Sequence, residues 1–208
     1  MRPSAQDLGH FYSSNKQSVV AEIQKVLEPW AACLPPKAVL AGMGYPVPYQ
    51  SILGHKRSSV WILPASQGGV PGGCLAHETL LPLADQSLDA AFLIHYLEFC
   101  SAKEALQELW RVLVPEGALL AVVPNQYSPA SHLGRTPFAQ GITFSASKMR
   151  FLLEEAGFTV HHCTPLLFLS WRSLRIFPGV LALHACKRLY RPVPSEGIPL
   201  PTPVPSCI

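Results

Sequence analysis

Residues 88–123 read LDAAFLIHYLEFCSAKEALQELWRVLVPEGALLAVV, and this stretch decides the fold. Two continuous apolar runs, Leu88–Ile94 and Ala118–Val123, flank a segment whose apolar residues recur at the 3.6-residue period of a helix. Apolar runs without polar alternation are typical of strands that are buried on both faces of a parallel sheet. The stretch therefore predicts a strand, a helix that begins with a capping box at Ser101–Glu104, and a second parallel strand.

The same alternation of strand and helix signals extends along the rest of the chain. Further elements are predicted as a helix within Lys16–Leu27, buried strands at Ala38–Ala41 and Val60–Leu63, a helix over Ser145–Ala156, and late strands at Phe158–Val160 and Gly179–Cys186. We therefore predict an α/β fold with one Rossmann-like, doubly wound, mostly parallel sheet and helices on both faces.

The chain divides into three parts by composition. An N-terminal helical segment (1–36) is followed by the α/β domain (37–191) and by a proline-rich tail (192–208). Prolines lack the amide donor and the backbone freedom that regular structure needs, so we expect the tail to be extended and flexible.

Overall composition excludes several classes of protein. With 49% hydrophobic and 14% charged residues among 208, the chain has the composition of a folded domain, and its net charge of +3 is too small for a dedicated nucleic-acid binder. Neither a membrane-spanning apolar run nor the hydrophobic stretch of a signal peptide is present, so we expect a cytoplasmic protein. Six scattered cysteines without a Cys-x-x-Cys pair favour reduced thiols and predict no metal site.

Residues at the carboxyl ends of the strands are the candidate site residues, because open α/β sheets bind ligands there. The first strand stops at Gly42-Met43-Gly44, whose glycines would let the backbone approach a ligand closely. His95 follows a later strand and is a candidate ligand contact or base, or a boundary residue with no ligand; Glu98 could orient it or cap the next helix. His77 and Glu78 are the other polar residues expected to reach the pocket.

Three ordered motifs resemble the class I S-adenosylmethionine-dependent methyltransferases, above all the broad small-molecule subgroup called type 11. These motifs are Leu81–Asp89, His95–Glu98 and Leu109–Gly117, within a matching stretch that runs from about Ala38 to Gly157. A more particular likeness is to an uncharacterised group of alphaproteobacterial methyltransferase-domain proteins. It is carried by Phe11–Ser14, Gly44-Tyr45, Val123–Asn125 and Arg135–Phe138.

The resemblance implies an S-adenosylmethionine-dependent methyltransferase that acts on a small molecule or on an unknown acceptor. It implies that S-adenosylmethionine contacts Gly42, Met43, Gly44, His77, Glu78, Leu80 and His95, with the adenine near residues 77–80. It also makes His95 the candidate base and Asn125 a candidate hydrogen-bonding group on the acceptor side, and it places Arg135–Phe138 in the segment where the family builds its acceptor lid.

The cofactor loop departs from the family pattern. Leu40 and Pro46 replace the leading acid and the third glycine, and Pro64 replaces the ribose-binding acid. These losses support an alternative, in which the chain is a catalytically degenerate relative that acts as a binding or scaffold partner. Residues 171–191 could offer a basic, aromatic face to RNA or a membrane surface, although a solvated edge is favoured, and the proline-rich tail could bind a protein.

Overall fold

The computed structural model describes residues 18–52, 59–64, 73–77, 80–128, 141–169 and 176–188. The strands are β1 (Leu40–Gly44), β2 (Ser59–Pro64), β3 (Gly73–Ala76), β4 (Leu88–Ile94), β5 (Leu113–Pro124), β6 (Phe158–Leu169) and β7 (Ile176–Lys187). The helices are α1 (Ser18–Ala32), α2 (Ala102–Val112) and α3 (Ala146–Glu155), with 3-10 turns at Val47–Tyr49 and Leu97–Phe99. The predictions that concern Phe11–Ser14, Glu78, Arg135–Phe138, the two ends of segment 171–191 and the tail 192–208 lie outside these residues.

Within the described residues, seven strands form one sheet in the order β3-β2-β1-β4-β5-β7-β6. The strands β3, β2, β1, β4 and β5 are parallel, whereas β7 pairs antiparallel with both β5 and β6. The chain winds outward from β1 to β3 and then returns to β4, so the strand order reverses between β1 and β4. The doubly wound, mostly parallel sheet is confirmed, and this reversal is the point where such sheets bind ligands.

Helices cover both faces of the sheet, as the continuous apolar runs predict. On one face, α1 packs Ile23 and Leu27 into a cluster with Leu40 and Phe92. On the other face, the buried side chains of α2 and α3 form a second cluster with the alternate residues of the same strands, such as Met43. No helix in the described ranges is long and apolar enough to cross a membrane.

Three local predictions need correction. The capping box at Ser101 is wrong: Ser101 precedes α2, but its side chain makes no capping hydrogen bond, and only its backbone carbonyl takes part, by accepting the Ala105 amide. The strand β3 was not predicted, and β6 and β7 are 12 residues each, far longer than their central apolar runs. At the predicted helix over Ser145–Ala156, Ser145 caps α3 by accepting the Lys148 amide, and Gly157 closes the helix at φ +94.

Arg111 ties α2 to the segment that precedes β4. Its guanidinium donates to both carboxylate oxygens of Glu108 at 2.9 and 2.8 Å, and to the carbonyls of Leu83 and Leu81 at 3.0 and 3.2 Å. It also pairs with Asp85, and the Glu108 carboxylate accepts the Leu81 amide in turn. The hydrogen bonds from Arg111 lower the pKa of Glu108 below its ordinary value of 4.5.

Replacing Arg111 by lysine is expected to lower the free energy of unfolding by about 1–3 kcal/mol, because an ammonium cannot reproduce the planar fork and leaves backbone carbonyls without donors. Urea unfolding at neutral pH measures the loss. The matched control is Arg150→Lys, because Arg150 makes a loose, exposed pair with Glu154 at 4.0 Å and its replacement should change little. Equal stability of the two variants would contradict the role given to Arg111.

The same network predicts an acid-dependent loss of stability. Because the folded pKa of Glu108 lies below the unfolded value, its contribution is present above pH 4.5 and is lost as the pH falls through the folded pKa. Wild type should therefore lose more stability than Glu108→Gln on acidification through this window. Parallel stability-against-pH curves for the two proteins would contradict the assignment.

Candidate active site

Gly44 ends β1 in a turn that only glycine can make. Its φ is +85, and a Cβ built there would overlap the carbonyl oxygen of Ile94 and approach Tyr96 Cβ to 3.0 Å. The next amide, that of Tyr45, donates to the Ile94 carbonyl at 2.8 Å. The turn after β1 therefore closes directly against the end of β4, at the reversal of strand order.

The other two residues of the glycine motif lie within β1. Gly42 pairs with Trp61 on β2 and with Phe92 on β4, and a side chain at Gly42 would meet those two rings at 2.6–2.7 Å. The rings pack edge to face with centroids 5.9 Å apart. Met43 is fully buried in the core of the opposite face. The prediction that the first strand stops at residues 42–44 is therefore corrected: β1 continues through Gly42 and Met43 and turns at Gly44 alone, and sheet packing accounts for the glycine at position 42.

His95 and Glu98 form a buried pair beside this turn. His95 lies at φ +53, in the left-handed region that a residue other than glycine adopts at a cost of about 1–3 kcal/mol. Its Nδ1 lies 2.8 Å from Glu98 Oε1, and both side chains are fully buried. Glu98 Oε2 is buried without a hydrogen-bond partner. Backbone strain, a buried titratable pair and the end of a central strand thus coincide at one place, as they do in functional sites.

A segment later in the chain, residues 141–144, packs over this pair. The Ile142 amide donates to the Glu98 carbonyl at 2.9 Å, and Phe144 forms a parallel bridge with Asn125 at the end of β5. Gly141 lies so close that a Cβ there would meet Glu98 Cβ at 3.0 Å. Asn125 is buried, and its Oδ1 accepts the Tyr127 amide at 3.1 Å.

The predicted adenine-side residues lie farther along the same edge. His77 follows β3, forms an antiparallel bridge with Leu80, and is exposed; Leu80 has 72% of its surface exposed. Because β2 lies between β3 and β1, His77 stands two strands away from Gly44. Pro64 ends β2 opposite Ala76. The structure thus brings together Gly44, His95 and Glu98, whereas it places His77 and Leu80 at the periphery of this edge.

Sequence reasoning missed two features of the site. It did not include residues 141–144, and it could not show that Glu98 is buried with one oxygen lacking a partner.

In the part of the chain that the structure describes, no group of three or more histidine, cysteine or acidic side chains is placed to hold a metal ion.

Solved structures of S-adenosylmethionine-dependent methyltransferases are similar to this chain. One, from Thermotoga maritima, is 17% identical with a TM-score of 0.63, over 88% of this chain and 95% of that one. Another, from Methanosarcina mazei, is 16% identical with a TM-score of 0.61, over 78% of this chain and 98% of that one. A third, from Aquifex aeolicus, is 19% identical with a TM-score of 0.57, over 78% of this chain and 88% of that one. Because all three identities lie below 20%, the likeness to these structures shows the fold alone.

A family model described as a methyltransferase domain matches residues 69–121. The chain has the class I methyltransferase fold. The predicted resemblance to the class I methyltransferases is confirmed, and the family match supports the prediction of an enzyme. The matched residues include His95, Glu98 and Arg111. No curated protein sequence matches the chain.

Proposed function

We propose that this chain transfers a methyl group from S-adenosylmethionine to a small-molecule acceptor at the carboxyl edge of its sheet. One observation carries the proposal: the obligatory glycine turn at Gly44 closes against the strained residue His95 where the strand order reverses. The methyltransferase-domain match over residues 69–121 supports the same reaction class.

The described residues fit the cofactor in two respects. Gly44 presents no side chain at the turn, so a ligand can approach the backbone there. Glu98 Oε2 is a buried acceptor that needs a donor, and S-adenosylmethionine carries an ammonium group, hydroxyls and an amino group on adenine. When bound, the cofactor supplies a methyl group on a positively charged sulfur. Of the predicted cofactor contacts, we place Gly44 and His95 nearest to the reacting end and His77 and Leu80 nearest to the adenine.

One part of the cofactor lacks its usual partner. Pro64 stands where the family carries the acid that binds the ribose, and a proline side chain neither donates nor accepts a hydrogen bond. Each lost hydrogen bond to a ribose hydroxyl is expected to weaken binding by about 1–3 kcal/mol. We therefore expect micromolar rather than nanomolar affinity.

His95 is the candidate base for the acceptor, and Glu98 holds its ring. Because Nδ1 is engaged by Glu98 at 2.8 Å, proton exchange with an acceptor would use Nε2. Asn125 lies at the end of β5 with its Oδ1 accepting the Tyr127 amide, and we assign it a hydrogen-bonding role on the acceptor side. The work of the remaining residues is to position the acceptor, which can supply several kcal/mol of the rate enhancement.

The test is calorimetric titration of the purified full chain with S-adenosylmethionine and with S-adenosylhomocysteine. We expect micromolar binding of both and loss of binding in Gly44→Asp, because the aspartate would add a Cβ that overlaps the Ile94 carbonyl oxygen and would place a carboxylate in the turn. Glu104→Gln, on the exposed first turn of α2, is the matched control and should bind as wild type does. Absence of heat and of a thermal shift at millimolar ligand would contradict the proposal and favour the degenerate binding protein.

A further inference from the structure

The carboxylate of Glu98 is only half satisfied. Oε1 lies 2.8 Å from His95 Nδ1, whereas Oε2 is fully buried and has no hydrogen-bond partner. In the neighbouring segment 141–144, the Ile142 amide donates a hydrogen bond to the backbone carbonyl of Glu98. This bond does not involve the Glu98 carboxylate. Among the described residues, His95 is the only group that forms an ion pair with Glu98.

A carboxylate oxygen buried in this way requires a donor. Leaving a buried acceptor unsatisfied is unfavourable, and more so for a charged group, so native structures supply a partner from protein, water or ligand. Carboxylates bind cationic N–H donors most strongly, because charge and hydrogen bond reinforce each other where water is excluded. Since the described chain brings no lysine or arginine to Glu98, a cationic ligand is the partner that satisfies both demands.

The place of Glu98 connects this demand to the ligand site. Glu98 lies in the 3-10 turn that follows β4, three residues after His95. A Cβ built on Gly44 would lie 3.1 Å from the carbonyl carbon of His95, so the pair stands next to the glycine turn at the reversal of strand order.

We infer that Glu98 Oε2 binds the protonated amine of a ligand held at this edge, an inference that rests on the proposed function. Two ligands could bring such an amine: the cofactor, through its amino-acid part, or an amine acceptor. A buried water is the rival occupant, and it would satisfy Oε2 without any effect on ligand choice.

The experiment compares two cofactor fragments by calorimetry. S-adenosylhomocysteine carries the protonated amine, and 5′-methylthioadenosine is the same thioether nucleoside without the amino-acid part. Wild type should bind S-adenosylhomocysteine at least about tenfold more tightly, and Glu98→Gln should remove most of that preference while changing affinity for 5′-methylthioadenosine less than about threefold. Glu104→Gln is the control of matched chemistry and should keep the full preference.

A second arm assigns the amine to its source. Thermal shifts of the protein saturated with S-adenosylhomocysteine are recorded with a simple alkylammonium salt. If Glu98→Gln keeps the cofactor preference but loses stabilisation by the alkylammonium ion, the amine belongs to the acceptor, and the inference stands. If Glu98→Gln changes neither the preference for S-adenosylhomocysteine nor the stabilisation by the alkylammonium ion, a water is the partner of Oε2. If it weakens the binding of S-adenosylhomocysteine and of 5′-methylthioadenosine equally, the nucleoside is the partner. Either result overturns the inference.

A wild-type measurement keeps the test valid if Glu98→Gln fails to fold. N-acetyl-S-adenosylhomocysteine retains the carbon skeleton of the ligand but loses the positive charge, and equal binding of the two compounds to wild type would overturn the role of the cofactor amine. Failure of wild type to bind S-adenosylhomocysteine at all would instead contradict the proposed function, and the inference falls with it. The two failures are therefore distinguishable.

Discussion

Gly44→Ala is expected to lower the free energy of unfolding by about 2–4 kcal/mol and to abolish binding of S-adenosylhomocysteine. The left-handed backbone costs a residue with a Cβ about 1–2 kcal/mol. The clash adds to this strain, because the new methyl group would overlap the carbonyl oxygen of Ile94, a backbone atom fixed between β1 and β5 that cannot move aside. Relief of the clash must therefore separate the turn from β4, and that movement dismantles the proposed cofactor site.

Gly157→Ala is the matched control for this prediction. Gly157 has a similar left-handed conformation, at φ +94, but it closes α3 and its new Cβ would meet the Trp110 side chain at 2.8 Å. The control should show a comparable backbone strain, a loss of about 1–2 kcal/mol, with ligand binding retained. Urea unfolding gives the stabilities and calorimetry the affinities. Retention of binding by Gly44→Ala, or its loss in Gly157→Ala, would contradict the location of the site.

The central part of the fold could be predicted from the sequence because its signals are local. The apolar runs of β4 and β5 and the helical period of α2 identify their own buried faces, and Leu106 and Leu109 are fully buried. The strand β3 gives no such signal, because it has only four residues and begins with a glycine. These four residues form a strand because they pair in parallel with β2, and that pairing depends on residues outside the segment itself.

The candidate site could be predicted in part for the same reason. A Gly-x-Gly after a buried strand indicates a turn, and Gly44 is that turn. The same pattern predicts a turn at Gly42, yet position 42 is a glycine because it makes room for Trp61 and Phe92, which come from two other strands. Nor can the sequence show that residues 141–144 cover Glu98, since that contact joins segments distant in the chain. Proximity in sequence thus identified the turn, whereas burial and packing depended on the assembled sheet.

Removing either member of the His95–Glu98 pair is expected to cause the second large loss of stability. His95→Asn keeps a residue type that tolerates the left-handed backbone but cannot reach Glu98, and Glu98→Met replaces the carboxylate by an apolar chain of similar length. Each single change should lower the free energy of unfolding by about 3–5 kcal/mol, because it removes one partner of a fully buried His–carboxylate pair. Urea unfolding measures each loss, with exposed His77→Ala as the control that should change little.

The double variant decides whether the two residues act as a unit. If they do, His95→Asn combined with Glu98→Met should lose less stability than the two single losses added together, by about 1–3 kcal/mol, because no buried carboxylate is then left without its partner. Additive losses would mean that each side chain is held by its own surroundings. A coupled pair, by contrast, would explain why the chain tolerates a strained backbone at His95: the hydrogen bond to Glu98 offsets the strain and fixes the imidazole where an acceptor would need it.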